Sequence, residues 1–93
     1  MFLLIHHKVE NFDKWKPVFD EHGKTRQKGG SKGSIVYRSK ENPNETVVIM
    51  EWDNIENAKK FGSSQDLKDT MAKAGVTGMP DVYFLEQVDK RDA

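Results

Sequence analysis

Three histidines and two tryptophans are the side chains here best suited to act on a small molecule: His6, His7, His22, Trp15 and Trp52. An imidazole titrates near neutral pH and can move a proton from an acidic phenol or enol, while indole rings pack against a flat apolar compound. In an extended run, successive side chains point to opposite faces, so His6 and His7 diverge and cannot grip one metal ion between them. No metal site is expected. If the chain pairs as outlined below, His7 and Trp52 fall on the same side of neighbouring strands, where Trp15, His22 and Phe61 can also reach. That grouping makes an aromatic pocket with two histidines, and His7 is its candidate proton shuttle or orienting group, with Trp52 packing against substrate. The plainer reading is that Trp15, Trp52 and Phe61 are core, as aromatics of a small domain usually are, and that His22 only interrupts a helical stripe.

The elements that must position these residues follow from periodicity. Phe2 to Val9 (FLLIHHKV) reads as a first strand with Leu3, Ile5, His7 and Val9 on one face and Phe2, Leu4, His6 and Lys8 on the other. Asn11 or Asp13 caps a helix with Phe12, Trp15, Val18, Phe19 and His22 at helical spacing, ending at Gly29 and Gly30; Pro17 is expected near its first turn. Ser34 to Ser39 and Thr46 to Asp53 form a hairpin around Asn42, Pro43 and Asn44. Asp53 with Glu56, then Ser63 with Asp66, have capping-box spacing. Behind them lie the stripes Ile55, Ala58, Phe61 and Leu67, Met71, Ala74, and Gly75 ends the second. After the loop signals Gly78 and Pro80, Asp81 to Val88 reads as the last strand.

The resulting order is the split βαβ arrangement of an α+β, ferredoxin-like βαββαβ fold, with a four-stranded antiparallel sheet whose first and third strands are central. One domain over residues 1–89 is expected, with a charged tail over 90–93. Helices cover one face only. Phe2, Leu4, Val47 and Ile49 on the other would each cost about 1.5–3 kcal/mol in water relative to burial, so a homodimer packed sheet to sheet is expected. Glu51 shares a face with His6 on the neighbouring strand and is its expected hydrogen-bond partner.

Fifteen basic and fifteen acidic residues cancel and are scattered, which argues against nucleic acid or an anionic membrane as a partner. The absence of cysteine excludes thiolate metal sites and cysteine nucleophiles and suits a reducing compartment. The four-residue apolar run Phe2 to Ile5 is too short for a signal or a membrane span. A cytoplasmic protein is expected.

With these elements in place, NFDKWKPVFDEH, VVIMEWDNIENAKKF, SSQDLKDTM and VYFLEQV make the chain resemble the dimeric α+β barrel superfamily, and within it the small proteins related to antibiotic-biosynthesis monooxygenases. The superfamily hosts quinone-forming monooxygenases, haem-degrading oxygenases and lactone isomerases on one scaffold. The haem-degrading branch uses an asparagine, a tryptophan and a haem-ligating histidine where this chain has His7, Trp52 and Met71. Only the tryptophan is kept, so the resemblance implies no haem and no other cofactor. A methionine on an apolar stripe reads as core or as a pocket wall. Quinone-forming members use the electron richness of the substrate itself, which implies a cofactor-independent monooxygenase acting on a small aromatic or polyketide-like compound. The alternatives are a non-catalytic ligand-binding or stress-accessory dimer using the same pocket, and an isomerase or cyclase of the same fold.

Overall fold

Alternating burial settles the first strand. In the computed structural model, which describes all residues Met1–Ala93, β1 (Phe2–Val9) buries Leu3, Ile5, His7 and Val9 and leaves Phe2, Leu4 and His6 half-buried. β3 (Glu45–Trp52) repeats the pattern, with Thr46, Val48, Met50 and Trp52 buried and Val47 and Ile49 half-buried. These two strands pair antiparallel at the centre of a sheet ordered β2-β3-β1-β4, with β2 (Ser31–Arg38) and β4 (Val76–Leu85) at the edges. All neighbours are antiparallel, giving the expected ferredoxin-like α+β architecture.

The helices differ from expectation in their joints. The first helical stretch is two segments, α1 (Phe12–Glu21) and α2 (Gly23–Gly29), with His22 capping the end of one and the start of the other. Asn11 caps α1 by accepting from Asp13 N–H, and Pro17 lies inside the helix rather than in its first turn. Pro17 is exposed, so the Asp13 carbonyl that loses its partner faces water and the cost is tolerable. The chain leaves α2 through Gly30 at φ 116°, where a Cβ would stand 2.5 Å from Asp53 Oδ1, so only glycine fits.

α3 (Ile55–Gly62) and α4 (Gln65–Lys73) start one residue later than the capping pattern indicated. Asn54, not Asp53, accepts from Asn57 N–H, and Ser64, not Ser63, accepts from Leu67 N–H. Asp53 instead accepts from the backbone of Asn54 and the side chain of Asn57. Adjacent residues in each pair can both cap, and the two that do so, Asn54 and Ser64, have extended backbone.

The last strand also shifts. β4 spans Val76–Leu85 rather than Asp81–Val88 and includes Gly78 and Pro80. Its register slips between His6 and Lys8, and a bulged edge strand can hold a proline, which has no N–H to donate. Residues 86–93 follow without helix or strand.

All four helices lie on one side, and the core of Leu3, Ile5, Val48, Met50 and Trp52 sits between them and the sheet with Trp15, Ala58, Phe61 and Leu67. On the other side Phe2, Leu4, Val47 and Ile49 are joined by Ile35, Tyr37, Tyr83 and Leu85, whose strand partners place them on that face. Ile35, Tyr37 and Tyr83 are more than half exposed, at 56, 53 and 55%. A continuous apolar surface therefore crosses all four strands.

Candidate functional site

Between the covered face of the sheet and the helices lies a chamber of about 40 Å³ lined largely by apolar groups. Of the residues singled out in the sequence, His7, Trp15, His22, Phe61 and Met71 all line it, beside Phe19 and Arg26. Trp52 does not. It is 1% exposed and stands behind Phe61, ring centroids 5.1 Å apart, with its Nε1–H meeting no acceptor in the protein.

β1 carries His7 into the chamber because alternation turns it toward the helices, and there it is 5% exposed. Its Nδ1 lies 3.0 Å from Thr46 Oγ1, which is also 3.2 Å from the His7 carbonyl oxygen. A carbonyl only accepts, and a hydroxyl has one proton. Both contacts are satisfied together when the Thr46 hydroxyl donates to the carbonyl and Nδ1–H donates to Thr46, which leaves Nε2 with a free lone pair. Nε2 has no protein partner. Burial, reinforced by the neighbouring His6, lowers the His7 pKa to about 4. Its ring packs edge-on to Trp15 at 5.4 Å. The chamber is thus faced by a neutral imidazole held in one orientation.

His22 sits at the α1–α2 joint and reaches across to α4, where Nε2 lies 2.7 Å from Asp66 Oδ2. With Val18 and Thr70 it lines both the chamber and an outer cleft of about 230 Å³ completed by Glu21, Thr25 and Lys73. The His22–Asp66 bond therefore ties the α1–α2 joint to α4 beside the chamber.

Arg26 was not singled out in the sequence, where it lies in the polar stretch GKTRQKG. α2 turns it inward to 7% exposure. Its guanidinium donates through Nη1 to the Phe19 carbonyl at 2.8 Å and lies 3.7 Å over the Phe19 ring. It forms no salt bridge. Burial lowers its pKa, and nearby Asp20 acts in the opposite sense. The signal that could have found it is its spacing, four residues beyond His22 and seven beyond Phe19, which continues the apolar face.

His6 occupies the opposite face. Its partners are Glu45 at 2.8 Å and Asp81 at 3.2 Å, not Glu51. The register explains the correction: His6 stands opposite Val47 on β3 and Asp81 on β4, whereas Glu51 stands opposite Phe2 at the far end of the strand. The two hydrogen-bonded carboxylates raise the His6 pKa above its usual 6.5. No three His, Cys, Asp or Glu side chains converge as metal ligands, and no helix is long and apolar enough to cross a membrane.

The sequence matches no protein-family model and no curated protein. Solved structures do match over almost the whole chain. A protein from Bordetella bronchiseptica, provisionally named an antibiotic biosynthesis monooxygenase, superposes with a TM-score of 0.78 at 16% identity, covering 94% of this chain and 95% of that one. SnoaB, a cofactor-independent oxygenase from Streptomyces nogalater, gives 0.71 at 13% identity over 94% and 93%. A provisionally named antibiotic biosynthesis monooxygenase from Caulobacter crescentus gives 0.73 at 18% over 95% and 89%. The protein thus has the fold of these antibiotic biosynthesis monooxygenase-like structures, and at these identities the likeness speaks to fold alone.

Proposed function

We propose that this protein is a cytoplasmic homodimer, packed sheet to sheet, that takes a small aromatic or polyketide-like compound into the chamber beside His7 and oxygenates it without a cofactor. The observation that carries this reading is His7: a buried, neutral imidazole whose Nδ1 is committed to Thr46 and whose Nε2 is unpaired beside an aromatic cavity. SnoaB, a cofactor-independent oxygenase of the same fold, supports the reaction class. The open apolar face supports the dimer, because contiguous exposed patches of this kind mark interaction surfaces.

The chemistry is limited by the His7 pKa. At neutral pH the imidazole is available as a base but a weak one, so it suits a substrate proton that is already acidic, such as that of a hydroxylated anthrone. The anion formed stabilises the imidazolium beside it and strengthens the base as the proton moves. With molecular oxygen as oxidant, the anthrone methylene loses two hydrogens and gains one oxygen. The other oxygen atom and the two hydrogens leave as water, so the balance closes at one quinone and one water per oxygen consumed. Trp15 and Phe61 hold the ring system, Met71 lines the chamber beside them, and Trp52 supports Phe61 from behind.

The chamber volume of about 40 Å³ favours a second reading alongside the first. Sites for drug-sized ligands are roughly 300–1,000 Å³, so a ligand must widen the chamber, and the His22–Asp66 bond between the α1–α2 joint and α4 is one tie that would have to yield as the helices part. A protein that opened only enough to bind would be a non-catalytic carrier. Oxygen uptake with 1,8-dihydroxyanthrone separates the two. Uptake above the spontaneous rate that is lost in His7→Ala supports the oxygenase, binding without uptake supports the carrier, and a His7→Ala protein that binds and turns over as the parent does contradicts the assignment of His7.

A further inference from the structure

Arg26 is a charged group buried in the wall of a chamber that is otherwise almost wholly apolar. A guanidinium has five N–H donors and stays ionised in proteins. Here one donor is used by the Phe19 carbonyl, the flat face lies on the Phe19 ring, and no carboxylate comes within salt-bridge distance. Buried charges are ordinarily paired, because an isolated one is costly to remove from water. The nearest compensation is the longer-range attraction of Asp20, which itself pairs with Lys16 at 2.7 Å.

Position adds to this. Arg26 lines the chamber on one side and on the other a cleft of about 230 Å³ whose remaining walls are polar: Gln27, Ser31, Lys32, Ser34 and two glycines. Gly23 is one of them and lies against the guanidinium, a Cβ there standing 3.4 Å from Arg26 Nη2. The cleft brings a second cation, Lys32, and no acidic side chain.

We infer that Arg26 is the anion-recognition residue of the chamber, selecting a ligand with an ionised acidic group, a carboxylate in the first instance, attached to a flat apolar body. This rests on the reading of the chamber as a ligand site and specifies what that ligand carries. The aromatic body lies among Trp15, Phe19 and Phe61, and the acid meets the free edge of the guanidinium at the boundary with the polar cleft. Paired recognition of carboxylate by arginine is directional and stronger than that of a neutral amide, which gives discrimination as well as affinity.

The test compares 2-naphthoate with its neutral isostere 2-naphthamide by amide-resolved NMR titration of the full chain, its Arg26→Gln variant and its Arg26→Lys variant. The ratio of the two affinities is the readout, because a loss of packing shared by both probes cancels from it. The parent protein should bind naphthoate about tenfold or more tightly than naphthamide, with shifts concentrated around the chamber. Arg26→Gln should bring the ratio to about one while naphthamide binding changes less than about twofold, and Arg26→Lys should retain part of the preference. Equal binding of the two probes by the parent, or an undiminished preference in Arg26→Gln, overturns the role of Arg26 and leaves the chamber reading standing. Binding of neither probe overturns both.

Discussion

Val48 and Ile49 are neighbours on β3 with opposite situations: one lies under the helices at 1% exposure, the other on the bare face of the sheet, half-buried among apolar side chains. His7 and His6 repeat the contrast on β1. His7 is buried, neutral and bonded to a hydroxyl, while His6 is about a third exposed and held by two carboxylates. The same residue type in consecutive positions is driven toward opposite charge states by the face it occupies. The covered face suits reaction with an acidic molecule, and the bare face suits contact with another surface.

Substitution by glutamate should break this contrast most strongly. Val48→Glu buries an unpaired charge and should cost more than about 4 kcal/mol, enough to unfold a small domain. Ile49→Glu should leave the fold stable within about 1 kcal/mol yet abolish the proposed dimer, read by light scattering and thermal unfolding together. If Ile49→Glu is as oligomeric as the parent, the bare face is not the interface.

The next effect is pH dependence. Because the folded His7 has a pKa of about 4 against 6.5 when unfolded, the unfolded chain binds the extra proton first as pH falls. Its contribution is fully present above 6.5 and lost as pH falls toward 4, by up to about 3 kcal/mol. Denaturant unfolding of His7→Gln should show a flatter acid limb over that window. His6 should have the opposite sign: its pKa is raised, so its contribution is full below 6.5 and is lost as pH rises through the higher folded value. His6→Gln should therefore lose less stability at pH 9 than at pH 6, with a smaller amplitude because solvent screens the exposed pair.

Gly30→Ala sharpens the geometry on the covered side. Its φ of 116° and the 2.5 Å approach to Asp53 should together cost about 1–3 kcal/mol. Asp66→Asn should be smallest in stability, below about 1 kcal/mol, while loosening the tie at His22 and speeding entry of a probe into the chamber, measured by stopped flow.

Much of this division was legible in the sequence. Two strands that are apolar on both faces called for a cover on each side, alternation separated His6 from His7 and put His7 on the face of Trp52, and the helical stripes brought Trp15, His22 and Phe61 to that face; Trp52 is there but stands behind Phe61, outside the chamber. The misses were local choices between near-equivalent partners. Asp53 and Asn54, like Ser63 and Ser64, are adjacent residues able to cap, and residue type alone does not choose between them. Gly78 and Pro80 signal a loop, but an edge strand with a bulge accommodates both. The joint at His22 had only a polar interruption and the following Gly23 as its signature, weaker than the Gly29–Gly30 stop, and Arg26 looked like solvated surface because its neighbours Lys24, Thr25, Gln27 and Lys28 are polar.

The central claim is that His7 offers a bare Nε2 to the chamber and takes a proton there from an acidic ligand. Imidazole nitrogen NMR of the labelled protein at pH 7, with and without 1,8-dihydroxyanthrone under anaerobic conditions, tests it directly. The expected result is a neutral ring protonated on Nδ1 in the free protein and a shift at Nε2 toward the protonated form on binding. A ring protonated on Nε2 in the free protein, or one unchanged by the ligand, would contradict it.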